Sequence, residues 1–141
     1  MTPEQLSDIE AIKQLKARYF RLMDTKQWDA WGEVFAPDVR MEVPEADLEL
    51  DGREAVVATV SAAIEGATTT HHGHMPEIEL TGPDTATGIW AMFDFVAWPR
   101  ADDGSRVGLR GYGHYHETYV RVGRRWLIAS TRLERLRVEG L

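Results

Sequence analysis

From Pro3 onward, apolar residues recur at helical spacing. Ile12, Leu15, Tyr19, Leu22 and Met23 keep to one side of an amphipathic helix. Thr2-Pro3-Glu4-Gln5 supplies its start, with an N-cap threonine, a proline at the first helical position and a glutamine that completes a capping box. By the helical period Asp24 projects about 100° away from the apolar stripe, close to Phe20 one turn earlier. It stands where the helix dipole disfavours a carboxylate. Periodicity alone leaves it either a solvated helix-end acid or a functional one. A second short helix is expected over 28–35, closed by Ala36-Pro37-Asp38. Residues 39–43 alternate as a short strand stopped by Pro44, Asp51-Gly52 turns the chain, and 54–64 reads as a third helix ended by Gly66.

From Thr68 the period changes from helical to extended. Residues 68–80, 85–98, 105–122 and 125–138 form four long segments rich in β-branched and aromatic side chains. The connections between them (Thr81-Gly82-Pro83-Asp84, Ala101-Asp102-Asp103-Gly104 and Gly123-Arg124) are short turns, so the strands should run as an antiparallel meander. Residues 89–96 are apolar on both faces, as suits a central strand. Helices first and a curved sheet afterwards make an α+β fold.

Composition narrows the function classes. A chain of 141 residues with 43% hydrophobic content fits one domain, 1–141, able to build a core and line a pocket. No run approaches the roughly 20 apolar residues of a membrane span, and the N-terminus lacks the pattern of a signal peptide, so a cytoplasmic protein without a membrane partner is expected. No cysteine is present, which excludes disulfide and thiolate chemistry. A formal charge of -7 argues against nucleic acid, with the late arginines (Arg121, Arg124, Arg125, Arg132, Arg135, Arg137) as a local exception.

The candidate chemistry lies in Thr70-His71-His72-Gly73-His74-Met75-Pro76, read with Asp24. A histidine paired with a carboxylate inside an apolar protein moves protons near neutral pH without a cofactor. Strand alternation sends His71 to one face and His72 and His74 to the other, and His71 is taken as the inward one. Tyr115 shares parity with Gly113 and Glu117 and should face the interior, where its hydroxyl can donate to a carbonyl. His114 and His116 with His72 or His74 offer a competing metal set, but the glutamate spacing of a cupin-type site is missing, so neither metal nor cofactor is expected.

These residues also resemble a known family. Arg18-Tyr19-Phe20, Asp24, Trp28-Asp29, Phe35-Ala36-Pro37-Asp38, Thr70-His71 with Pro76 and Ile78, Thr85-Ala86, Gly113-His114-Tyr115, Tyr119-Val120-Arg121 and Trp126-Leu127-Ile128 are similar to the SnoaL-like proteins of the nuclear transport factor 2-like superfamily. Within it the pattern is closest to the scytalone dehydratase, bile acid 7α-dehydratase and hexachlorocyclohexane dehydrochlorinase group. The resemblance implies a cone-shaped barrel, with N-terminal helices packed on a strongly curved, mostly antiparallel sheet that encloses a pocket. It places His71 on the family's catalytic histidine, Asp24 on its acidic partner and Tyr19 on a pocket tyrosine. Arg132 is the candidate for the cation that relatives carry on the last strand, where it would stabilise an oxyanion or leaving group. The second histidine of scytalone dehydratase is absent, its position falling near Val96.

The implied activity is a cofactor-free lyase (dehydratase), isomerase or cyclase acting on a small, hydrophobic, cyclic substrate such as a polyketide, steroid or terpenoid. Trp28, Trp31, Met75, Trp90 and Met92 would join Tyr115 in binding it. The alternatives are a non-catalytic small-molecule-binding protein of the same fold and a histidine-based metal enzyme. An outer sheet face carrying His114, His116, Val120 and Leu127 would leave apolar surface in water, so a homodimer or homotrimer is expected.

Overall fold

The computed structural model describes residues 1–141. In chain order it contains helix α1 (Pro3–Asp24), helix α2 (Trp28–Gly32), strand β1 (Phe35–Val43), a single 3-10 turn (Pro44–Ala46), strand β2 (Leu48–Asp51) and helix α3 (Arg53–Ile64). Four long strands follow: β3 (Thr68–Gly82), β4 (Thr85–Trp98), β5 (Val107–Val122) and β6 (Arg125–Gly140). The six strands form one sheet in the order β2-β1-β6-β5-β4-β3. Every neighbouring pair is antiparallel except β1 and β6, which run parallel.

The α+β class and the curved sheet under N-terminal helices are as expected, but the barrel is not closed. The sheet curls and stops, with β2 and β3 as its edges. The second helix is also shorter than its pattern suggested. It ends at Gly32, and Phe35 already belongs to a strand. Pro37 is tolerated there because the β1–β6 register slips between Phe35 and Arg40, so the residue that cannot donate a ladder hydrogen bond sits in the irregular stretch.

Helix α1 begins as its sequence dictates. Thr2 Oγ1 accepts from the Gln5 amide at 3.1 Å, and Gln5 Oε1 accepts from the Thr2 amide at 2.8 Å. Its apolar stripe is buried and packs with Trp31, Phe35, Val39, Val56, Trp90, Met92 and Ile128 in one core. One buried member of the stripe, Lys16, is charged. No helix is long and apolar enough to cross a membrane.

Two bulges in β6 decide which of its side chains face the helices. Tyr119 pairs with Ile128 but Thr118 with Ser130, leaving Ala129 unopposed. Gly113 pairs with Arg135 but Tyr112 with Arg137, leaving Leu136 unopposed. Each extra residue reverses the alternation. Trp126 and Ile128 are buried before the first bulge, and Thr131 is buried after it, with Leu133 and Arg135 half-buried in the same phase.

Candidate active site

Asp24 is the last residue of α1, and β3 is an edge strand whose outer side has no sheet partner. The helix end fills that vacancy. The His71 amide donates to Asp24 Oδ2 at 2.8 Å, Thr69 Oγ1 donates to Oδ1 at 2.9 Å, and His71 Nδ1 lies 2.6 Å from Oδ1. An ionised carboxylate only accepts, so Nδ1 carries a proton, and in the neutral ring Nε2 is the nitrogen with the free lone pair. Three charge-assisted contacts also offset the cost of an acid against the C-terminal end of a helix dipole. The pair is partly shielded, with side-chain exposures of 9% for His71 and 20% for Asp24.

Nε2 faces a second acid. His71 and Asp94 are register partners on β3 and β4, and because the His71 amide points away from β4 they form a non-hydrogen-bonded pair, in which side chains approach closely. Asp94 is 1% exposed, with Oδ2 at 3.9 Å from His71 Nε2. The same Oδ2 accepts from Arg135 Nη2 at 2.5 Å, and Arg135 Nη1 donates to Glu45 on the 3-10 turn. Asp94 Oδ1 and Arg135 Nε are buried without a hydrogen-bond partner. Gly111, opposite Asp94 on β5, makes room for both groups.

A second charged cluster lies deeper. Lys16 Nζ donates to Glu117 Oε2 at 2.8 Å, with both side chains fully buried. Tyr119 Oη donates to Glu117 Oε1 at 2.8 Å, Thr131 Oγ1 to Oε2 at 2.6 Å, and Trp90 Nε1 to Tyr119 Oη at 2.9 Å. The ammonium sits 3.7 Å from the ring centres of both Tyr19 and Tyr115. Burial pushes the Lys16 pKa down, and Glu117 opposes that shift. Burial pushes the Tyr19, Tyr115 and Tyr119 hydroxyls up, reinforced by the Glu117 charge.

The residues singled out in the sequence therefore separate into groups. Asp24 and His71 meet, while Tyr19 and Tyr115 lie beneath them on either side of Lys16. Trp31, Trp90 and Met92 are buried core residues, and Trp28 is half-buried, edge-on to Trp31 and bonded to Glu65. Met75 is 92% exposed and cannot line an interior pocket, because the register break between His74 and Glu77 falls on it.

Arg132 is likewise turned away from His71. The Ala129 bulge sends it outward, 45% exposed and paired with Glu42 and Glu134, and brings Arg135 inward instead. On the outer face Leu127 is buried, and a groove of about 500 Å³ is lined by Arg40, Glu42, Thr118, Ser130 and Arg132 among others, but by neither Asp24 nor His71. His72 stacks on Phe93 on that side, and no three His, Asp or Glu side chains converge as metal ligands.

The sequence reading missed Asp94, Arg135, Glu45 and Lys16. Two of them carried a signal: Asp94 is the one charge in the apolar run 89–96, and Lys16 falls within the apolar stripe of α1.

Comparison with known proteins fits this geometry. A family model for the SnoaL-like domain matches residues 4–132. The chain belongs to the SnoaL-like family. A relative from Gibberella zeae, "Probable cyclase FGR4", is 30% identical over 135 residues, covering 89% of each chain. Among solved structures, a scytalone dehydratase-like protein from Novosphingobium aromaticivorans superposes with a TM-score of 0.88 at 20% identity, covering 100% of this SnoaL-like chain and 92% of its own. A hexachlorocyclohexane dehydrochlorinase superposes with a TM-score of 0.84 at 16% identity, covering 97% and 90%. At those identities the structural matches establish a shared fold.

Proposed function

We propose that this SnoaL-like protein is a cofactor-free lyase or cyclase that acts on a small cyclic, largely apolar compound, with Asp24 and His71 as its acid–base pair. The observation that carries this reading is the triple anchorage of Asp24 on Thr69 and on both the backbone and ring of His71, which turns Nε2 inward. The family membership and the cyclase relative support it.

In this mechanism Nε2 takes a proton from the carbon next to a substrate carbonyl. The imidazolium that forms is stabilised by Asp24 at Nδ1, and Arg135 is the cation placed to meet negative charge developing on the carbonyl oxygen. Collapse of the enolate then either expels a β-leaving group, which recovers the proton from His71, or closes a ring by attack on a second carbonyl carbon of the same molecule, whose C=O π bond opens to an alkoxide that takes that proton. Homodimer or homotrimer assembly belongs to the same proposal and would be read by sedimentation.

The test is turnover of cyclic β-hydroxy ketones, enones and ring-closing keto esters, each with and without a carboxylate substituent, by wild type, His71→Ala and Asp24→Asn. His71→Ala should abolish turnover while the circular dichroism spectrum is kept. Asp24→Asn should lower kcat by roughly 10²–10⁴, the scale of acid–base catalysis and tautomer control in other enzymes. Wild-type rates in both variants would refute the mechanism.

A further inference from the structure

Arg135 is shared by two carboxylates of different standing. Asp94 is 1% exposed on an interior strand, held by its register with His71 and by close packing on Gly111. Glu45 instead rides on the three-residue turn Pro44–Ala46, which leads into Asp47 in a left-handed conformation (φ 51°). Its side chain is 35% exposed, and the bond from Arg135 Nη1 is the one hydrogen bond its carboxylate makes. Asp94 is part of the wall, whereas Glu45 reaches in from solvent.

A carboxylate that enters from outside and rests on a cation beside a candidate acid–base histidine occupies the place of an anionic ligand oxygen. The exchange of Glu45 for another anion costs little, because partly exposed ion pairs contribute weakly. Arg135 Nε is buried without a partner beside Gly111, so an incoming anion would meet the guanidinium at the Nη1 donor that Glu45 holds. His71 Nε2 and Arg135 Nη2 lie against the same Asp94 oxygen, at 3.9 and 2.5 Å, so an anion held on the Nη1 side of Arg135 is separated from the imidazole by that one carboxylate.

We infer that Glu45 is a resident stand-in for a substrate carboxylate, and that the site takes a small carboxylic acid whose anionic end replaces Glu45 on Arg135 while its reacting carbon faces His71. The reacting half of this statement rests on the acid–base reading above. The anion subsite does not. Glu45 is then a specificity-determining residue: it fills the subsite when no acid is bound and disfavours neutral compounds, which cannot compete for the guanidinium.

The probe is benzoate, with benzyl alcohol as its neutral counterpart, followed through the His71 ring signals in histidine-detected NMR on the full chain. Benzoate should shift those signals in wild type and bind roughly three- to tenfold more tightly to Glu45→Gln, the gain from removing one weak competing ion pair. Arg135→Gln should abolish the shift, and Arg135→Lys should retain a weaker one. Benzyl alcohol should leave His71 unmoved. Equal benzoate affinity in wild type and Glu45→Gln, no movement of His71 in either, or an equal response to benzyl alcohol would overturn the proposal. Glu45 lies on an exposed turn, so that comparison does not depend on refolding a core variant. Tighter benzoate binding in Glu45→Gln alongside full turnover in His71→Ala would keep the anion subsite and remove the acid–base mechanism. Loss of turnover in His71→Ala with benzoate affinity unchanged in Glu45→Gln would do the reverse.

Discussion

Asp94 and Gly111 are register partners on β4 and β5, and the carboxylate of one occupies the space a side chain on the other would need. A Cβ at Gly111 would stand 2.2 Å from Asp94 Oδ1 and 2.5 Å from Arg135 Nε. Gly111 therefore sets how far Asp94 and Arg135 retreat from His71. Gly111→Ala should destabilise the fold by about 1–3 kcal/mol, the usual penalty of overpacking, and should displace both groups. Urea unfolding reads the first effect and the His71 ring signals the second; an unmoved His71 would show that the glycine does not position this half of the site.

The two arginines three residues apart on β6 should behave oppositely. Arg132→Ala removes an outward, solvent-facing partner of Glu42 and Glu134 and should leave kcat near the wild-type value. Arg135→Ala removes the inward cation and should lower kcat by roughly 10²–10³, as loss of an oxyanion-stabilising donor does. The reversed pattern in steady-state kinetics would mean that the bulge at Ala129 does not persist in solution.

The buried pair Lys16–Glu117 makes a different kind of statement. Lys16→Met strands a carboxylate in the core and should cost about 3–5 kcal/mol, whereas replacing both partners with apolar residues often costs far less. Lys16→Met with Glu117→Leu should accordingly be more stable than Lys16→Met alone, even though the Thr131 hydroxyl loses its acceptor. Urea melts of the two single variants and the double give the coupling directly.

Alkaline titration follows from the same cluster. Burial first, and then neighbouring groups including Glu117, raise the Tyr19, Tyr115 and Tyr119 pKa values above the ordinary 10.0. A raised acid binds its proton more tightly in the folded chain, so its stabilisation is complete below the unfolded value near 10 and is lost as pH climbs through the folded values. Near-ultraviolet absorbance should show these three phenols ionising together with unfolding rather than along a simple curve. Early, independent ionisation of all 4 tyrosines would mean that the interior is wet.

Much of the fold was legible in the chain because long elements carry strong periodicity. The capping box of α1, the buried stripe from Ile12 to Met23 and the four long strands follow their patterns. The pairing of Asp24 with His71 was legible through family resemblance, not through spacing, since nothing local says that a helix end will meet an edge strand 47 residues later. The errors share one cause. Arg132 was chosen through the family resemblance and Met75 for its apolar character, and both lie on strands with irregularities, where a single unopposed residue reverses the faces of all that follow. Asp94 and Lys16 were passed over because an isolated charge in an apolar run makes sense only once its partner, brought by another strand, is known. Strand β1 was started late because Ala36-Pro37-Asp38 reads as the stop of a helix, whereas Pro37 lies inside the strand at a register shift.

The bond from the His71 amide to Asp24 has a consequence for self-association. Strand β3 is an outer strand of the sheet, and an unpaired amide there invites another chain to extend the ladder. Asp24 occupies that amide, so the acid that orients the histidine also guards the margin of the sheet. Its removal would both release the ring from its orienting partner and uncover an edge amide, so one carboxylate joins the geometry of the candidate site to the closure of the sheet margin.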